Sequence, residues 1–106
     1  MDCSVEGIDT LVKGNDIVLF MKGTPASPMC GFSARAVGIL NHLEAKYESV
    51  DVFEYPEIRQ NIKTYSNWPT LPQLFVKGEL VGGVDIMMEM FEAGELQTML
   101  KSVAAK

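Results

Sequence analysis

Five consecutive apolar residues, Ile17-Val18-Leu19-Phe20-Met21, constrain this chain more than any other stretch. Side chains alternate sides along a strand, so a half-exposed strand alternates in polarity and an unbroken apolar run reads as one buried on both faces. Whatever else the chain does, it must lay cover over each side of that strand.

The flanking segments predict the cover. Ser4 suits the N-cap of a leading helix with Val5, Ile8, Leu11 and Val12 on one side, and Gly14-Asn15 suits its stop. Residues 22–28 form a Gly/Pro/Ser loop, after which residues 30–44 carry helical spacing at Phe32, Val37, Leu40 and Leu43. Cys30 is thereby placed at a helix N-terminus. Residues 47–53 offer a second strand through Val50 and Val52, and Pro56 fits the first turn of a helix bearing Ile58, Ile62 and Tyr65. Residues 73–76, the turn Lys77-Gly78 and residues 79–81 make a hairpin. Gly82-Gly83 breaks its second strand, Asp85 can N-cap a helix to about Ala93, and Gly94 ends that helix before a last one from Glu95 to about Val103. A right-handed crossover sets the second strand beside the first. The expected class is α/β, a four-stranded mixed sheet flanked by helices on both faces, which is a thioredoxin-like architecture.

A chain of 106 residues is expected to form a single domain over 1–106. With 47% hydrophobic and 22% charged residues it can build a core, which excludes disorder and low complexity. The longest uncharged stretch, the thirteen residues 64–76, contains two prolines and falls short of the ~20 apolar residues of a bilayer-crossing helix, so no membrane role is expected. A net charge of -5 with nine scattered Lys and Arg argues against nucleic acid. The opening Met1-Asp2-Cys3-Ser4-Val5-Glu6 has neither secretory nor transit-peptide character. Two cysteines, Cys3 and Cys30, cannot make the multi-bridge framework of small secreted domains, so a reducing compartment is expected.

A thiolate is the nucleophilic and metal-binding form of cysteine, and a helix N-terminus and nearby cations favour it. Cys30 meets the first condition, and Lys22 at the end of the apolar strand is within reach of the second. On these grounds alone an inert buried cysteine and a reactive thiol both remain open. Ser33 stands where a dithiol C-x-x-C motif has its second cysteine, so no disulfide forms within the motif. Cys3, near a terminus, is left out of the site. His42 has no cysteine at ligand spacing and reads as surface or core edge. Met87, Met88, Met90 and Met99 read as core packing, and Trp68 as either a pocket wall or a core residue. The acidic residues Glu44, Glu48, Asp51, Glu54 and Glu57 read as a solvated face.

Four segments, Met21-Lys22-Gly23-Thr24-Pro25, Cys30-Gly31-Phe32-Ser33, Trp68-Pro69-Thr70-Leu71-Pro72-Gln73 and Gly82-Gly83-Val84-Asp85, in this order and spacing resemble a monothiol glutaredoxin of the CGFS type. The resemblance covers roughly residues 17–100. It implies a thioredoxin fold, Cys30 as the working thiol, and Pro72 as a cis-proline. It also implies a glutathione site in which the peptide pairs with the Leu71 main chain. Lys22 and Arg59, and least of all Lys63, would meet its glycine carboxylate, while Gly83, Val84 and Asp85 would hold its γ-glutamyl end. The chemistry agrees, since a tripeptide with two carboxylates and one amine needs cations at one end and an acid or helix N-terminus at the other. One departure is Val84, where family members often carry Cys.

Two functions follow from the resemblance. The first is storage and transfer of a [2Fe-2S] cluster, with Cys30 as its metal ligand. The cluster is shared between two chains, and two glutathiones complete the four thiolates. Its partners would be apo iron-sulfur proteins as recipients, a second copy in a cluster-loaded homodimer, and a helical activator protein in a mixed dimer. The second is a weak glutathione-dependent oxidoreductase that removes glutathione from protein mixed disulfides. A docking adaptor without turnover is a third reading. The resemblance ties the loop of residues 23–29 to cluster binding over rapid reduction, which favours the carrier. The compartment would be the bacterial cytosol, or the mitochondrial matrix after removal of a transit peptide.

Overall fold

The computed structural model describes residues 2–104; Met1, Ala105 and Lys106, the ends of the expected domain, lie outside the described residues. Ile17–Met21 forms β1, and every one of its side chains is buried. Ile17, Leu19 and Met21 enter one core and Val18 and Phe20 the other, as the two-residue period requires. The first core is closed by α2 (Gly31–His42), α4 (Val84–Glu92) and α5 (Glu95–Ala104). The second is closed by α1 (Val5–Gly14) and α3 (Pro56–Ser66).

The sheet order is β2-β1-β3-β4 with β2 at Glu48–Asp51, β3 at Gln73–Val76 and β4 at Glu79–Gly82. β2 runs parallel to β1, with Phe20 opposite Val50, while β3 runs antiparallel, with Phe20 opposite Gln73. β3 and β4 form the expected hairpin through a two-residue turn at Lys77 and Gly78. The mixed four-stranded sheet with helices on both faces is therefore the architecture read from the pattern.

Local boundaries moved where a polar group found a nearer partner. Ser4 does cap α1, its Oγ accepting from Gly7 N at 3.1 Å. The second strand is shorter than residues 47–53, because the chain turns at Asp51, whose carbonyl accepts from Glu54 N and Tyr55 N. Asp85 does not cap α4. The N-cap is Gly83, whose carbonyl accepts from Met87 N at 3.0 Å, leaving Asp85 in the first turn. Phe32 does not join the core with Val37 and Leu40: it lies in the first turn of α2, past the end of the sheet, and is 58% exposed. Met87 is fully buried, and Met88, Met90 and Met99 pack against the same core. His42 is exposed and stacks edge-on against Phe91.

Two side-chain bonds strap α3 to the N-terminal segment: Tyr65 donates to Asp9 Oδ1 at 2.6 Å, and Asn61 Nδ2 to the Cys3 carbonyl at 2.8 Å. The second core centres on Phe20, fully buried and edge-on to Phe75 with ring centroids 5.6 Å apart. Phe20→Ala should cost about 3–5 kcal/mol, read as a lower urea midpoint at unchanged slope; a loss below about 1 kcal/mol would mean that β1 is not the two-sided core strand.

Candidate functional site

The topology brings strand ends and helix starts to one end of the sheet, where β2 too ends, at Asp51. β1 ends there at Met21, β3 begins there at Gln73, β4 ends there at Gly82, and α2, α3 and α4 all start from that end. Helix N-termini carry unpaired N–H groups and partial positive charge, so this end suits anions.

Cys30 is the N-cap of α2, and its carbonyl accepts from Ala34 N at 2.9 Å. Its sulfur is partly exposed at the start of α2, where the backbone N–H groups of Ser33 and then Phe32 hold the thiol below its ordinary range; burial opposes them, and the nearby Lys22 charge adds a smaller lowering. The thiol is therefore one disposed to ionise. Ser33 is completely buried, and its Oγ accepts from Lys22 N at 3.0 Å. Where a dithiol motif has a second sulfur, this chain has a hydroxyl that ties the end of β1 to α2.

The loop between Lys22 and Cys30 closes on itself. Gly23 bridges Pro28, Met29 N donates to the Lys22 carbonyl at 2.9 Å, and Thr24 and Ser27 exchange backbone hydrogen bonds at 3.2 and 3.0 Å. The loop is thus a small hairpin with Lys22 and Cys30 at its feet, and it leaves Met29 67% exposed.

Beside the thiol lies a cleft of about 410 Å³ lined by Lys22, Arg59, Leu71, Gly83, Val84 and Asp85, all six of the residues singled out in the sequence besides Cys30. Cys30 does not line the cleft; Phe32, two residues on, does. Lys63 lines it too, so the residue ranked last among the cations shares the wall with Arg59. The Leu71-Pro72 peptide is cis. Trp68 is a wall of the cleft, its Nε1 buried and, among the described residues, without a hydrogen-bond partner. Its strand-entry segment is held by the fully buried Gln73, whose Nε2 donates to the Trp68 and Thr70 carbonyls at 3.0 and 3.1 Å. Gly82 has a φ of 143°, and a side chain there would meet Ile86 at 2.9 Å, so the turn into α4 requires glycine.

Sequence reasoning missed two of these supports. Ser33 drew notice only as an absent cysteine, although a small hydroxyl inside an apolar helix face is a signal of a buried acceptor. Asp51 was placed with the solvated acidic face, yet its Oδ1 accepts from Gly23 N at 3.0 Å and Phe53 N at 2.8 Å.

The glutaredoxin family model matches residues 17–81. The chain belongs to the glutaredoxin family. It is 50% identical over 103 residues to Glutaredoxin 4 of Haemophilus influenzae, covering 97% of this chain and 96% of that one, and 48% identical over 106 residues to Glutaredoxin 4 of Escherichia coli K12, covering 100% and 92%. A relative named as a probable monothiol glutaredoxin in Rickettsia felis is 53% identical over 96 residues, covering 91% and 92%. Among solved structures, a monomeric truncated mutant of Trypanosoma brucei 1-C-Grx1 superposes with a TM-score of 0.86 at 44% identity, over 95% of this chain and 92% of that one. A buckwheat glutaredoxin in complex with glutathione superposes at 0.83 with 26% identity, over 95% and 90%.

In this glutaredoxin the backbone N–H groups at the start of α2 lower the thiol more than the lysine does. The alkylation rate of Cys30 should therefore stay high as pH falls below the ordinary thiol range near ~8.5, and drop only through the lowered value. Lys22→Ala should move that midpoint up slightly and leave most of the depression in place. A wild-type midpoint at or above the ordinary thiol value, from pH-resolved iodoacetamide kinetics, would contradict the geometry.

Proposed function

We propose that this monothiol glutaredoxin binds glutathione in the cleft beside Cys30 and, paired with a second copy, carries a [2Fe-2S] cluster. The observation that carries the reading is the meeting of Lys22, Arg59, Leu71, Gly83, Val84 and Asp85, drawn from four separate segments, in one cleft next to an ionisable thiol. Lys22 and Arg59, with Lys63 alongside, take the glycine carboxylate by charge-assisted hydrogen bonds. The Leu71 main chain pairs with the peptide. The first turn of α4, with Gly83 and Val84 backbone groups and the Asp85 carboxylate, holds the γ-glutamyl carboxylate and amine. This leaves the glutathione sulfur on the Cys30 side. The contact at Val84 is through its backbone, so a side chain other than Cys there does not remove it.

The cluster is cargo, and ligand counting decides how it is held. A [2Fe-2S] centre takes four ligands, and this chain has two cysteines, of which Cys3 packs on the α1–α3 side while Cys30 heads a helix of the other side. One chain therefore offers one thiolate. A second chain offers another, and two glutathiones supply the rest. The exposed Met29 and Phe32 beside the thiol give a second chain, an apo recipient or a helical activator protein apolar ground to rest on.

The second reading, deglutathionylation, needs only Cys30 and two glutathiones. The Cys30 thiolate attacks the glutathione sulfur of a mixed disulfide and the protein thiolate leaves. A second glutathione thiolate then attacks that sulfur, releasing glutathione disulfide and regenerating Cys30. The resemblance, which ties the loop of residues 23–29 to cluster binding, favours the carrier. The Haemophilus, Escherichia and Rickettsia relatives support the bacterial cytosol as its compartment.

Cys30→Ser, or omission of glutathione from anaerobic reconstitution, should abolish the visible absorption of thiolate-bound [2Fe-2S] iron. In sedimentation that absorption should travel with a dimer, and the reduced apo protein should run as a monomer. A full cluster on Cys30→Ser, or visible absorption on the monomer, would sink the ligand assignment. Arg59→Glu should weaken glutathione binding about tenfold by calorimetry; unchanged affinity would remove Arg59 from the site.

A further inference from the structure

We infer that Asp51 is a positioning residue that joins the two sides of the cleft, fixing the thiol loop and the support of Arg59 through one carboxylate oxygen. The inference rests on the reading of the cleft as a glutathione site. Asp51 ends β2 opposite Met21, next to the point where β1 gives way to the loop. Beyond Met21 the sheet no longer pairs the backbone, and the next two N–H groups need other acceptors. Lys22 N finds Ser33 Oγ and Gly23 N finds Asp51 Oδ1, each at 3.0 Å. Gly23 is the first residue of the small hairpin that ends at Cys30, so Asp51 holds one foot of the thiol loop.

The same oxygen accepts from Phe53 N at 2.8 Å. The Phe53 ring is 41% exposed and has no place in either core, but the Arg59 guanidinium carbon stands 5.5 Å from its centroid. That is a cation–π arrangement, and it gives the arginine a platform on the cleft side of α3. One acceptor thus sets both the thiol loop and the ring under the carboxylate-binding arginine. Asn at this position keeps the acceptor oxygen, whereas Ala leaves two N–H groups without one.

The test uses full-length reduced protein and two readouts that do not depend on each other. Calorimetry measures reduced glutathione binding, and mass spectrometry of the Cys30 peptide follows iodoacetamide alkylation at neutral pH, which needs no glutathione. Asp51→Ala should lose about tenfold in glutathione affinity and about threefold in alkylation rate, while Asp51→Asn stays within about twofold on both. Phe53→Leu, which keeps the backbone bond, should lose affinity and keep the alkylation rate. Tyr65→Phe, which removes a bond remote from the cleft, should lower stability and change neither. Asp51→Ala that is unchanged in either readout, or Asp51→Asn as damaged as Asp51→Ala, overturns the joint. Should Asp51→Ala not fold, Phe53→Leu with wild-type affinity overturns it. Should the wild type not bind glutathione, the proposed function falls, and the alkylation arm alone decides for or against Asp51.

Discussion

Burial of β1 on both faces is the constraint from which the rest follows. A strand with no polar side chain needs cover on each side, and the chain supplies α1 and α3 for one and α2, α4 and α5 for the other. Because β2 is reached from β1 by a crossover through α2, and β3 returns antiparallel, the C-terminal end of β1 collects the starts of three helices. The thiol and the cleft owe their place to that convergence. Lys22, the residue after the last buried one, is where the core strand turns into site.

At that junction the sheet stops supplying hydrogen-bond partners, and side chains take over. Ser33 and Asp51 accept the N–H groups of Lys22 and Gly23, and Gln73 holds the carbonyls of Trp68 and Thr70. These polar groups stabilise a backbone that carries function. The serine of the C-x-x-S motif therefore has a structural task of its own besides leaving Cys30 without a resolving partner.

The mixed four-stranded sheet and both helical layers were legible in the sequence because each rests on a pattern that side-chain chemistry imposes, while the cleft residues were legible through the family resemblance. The apolar run gave β1, the Ser4 cap gave α1, and the four motifs gave Lys22, Cys30, Leu71 and the Gly83-Val84-Asp85 turn. What stayed hidden was set by partners distant in the chain. Asp51 looked like one more surface carboxylate, because its donors lie 28 residues before it and two after. Phe32 fitted a helical period yet lies past the end of the sheet it would have covered. Asp85 is a good capping residue, but the tight turn at Gly82 puts the cap of α4 earlier, at Gly83. Periodicity reports what a side chain is suited to, and tertiary geometry decides whether anything is there to meet it.

The structure also contains a larger cavity, about 640 Å³, near Asp16, His42, Lys46 and Gln97, at the end of the sheet where β1 begins. It holds no thiol, and volume alone does not make a site. Whether glutathione occupies the smaller cleft beside Cys30 is read directly by titrating the isotopically labelled, reduced protein with glutathione and following amide chemical shifts. Shifts should concentrate at Lys22, Phe32, Leu71 and residues 83–86, with the amides around His42 and Gln97 unmoved. Shifts centred on the larger cavity, or none at millimolar glutathione, would contradict that occupancy.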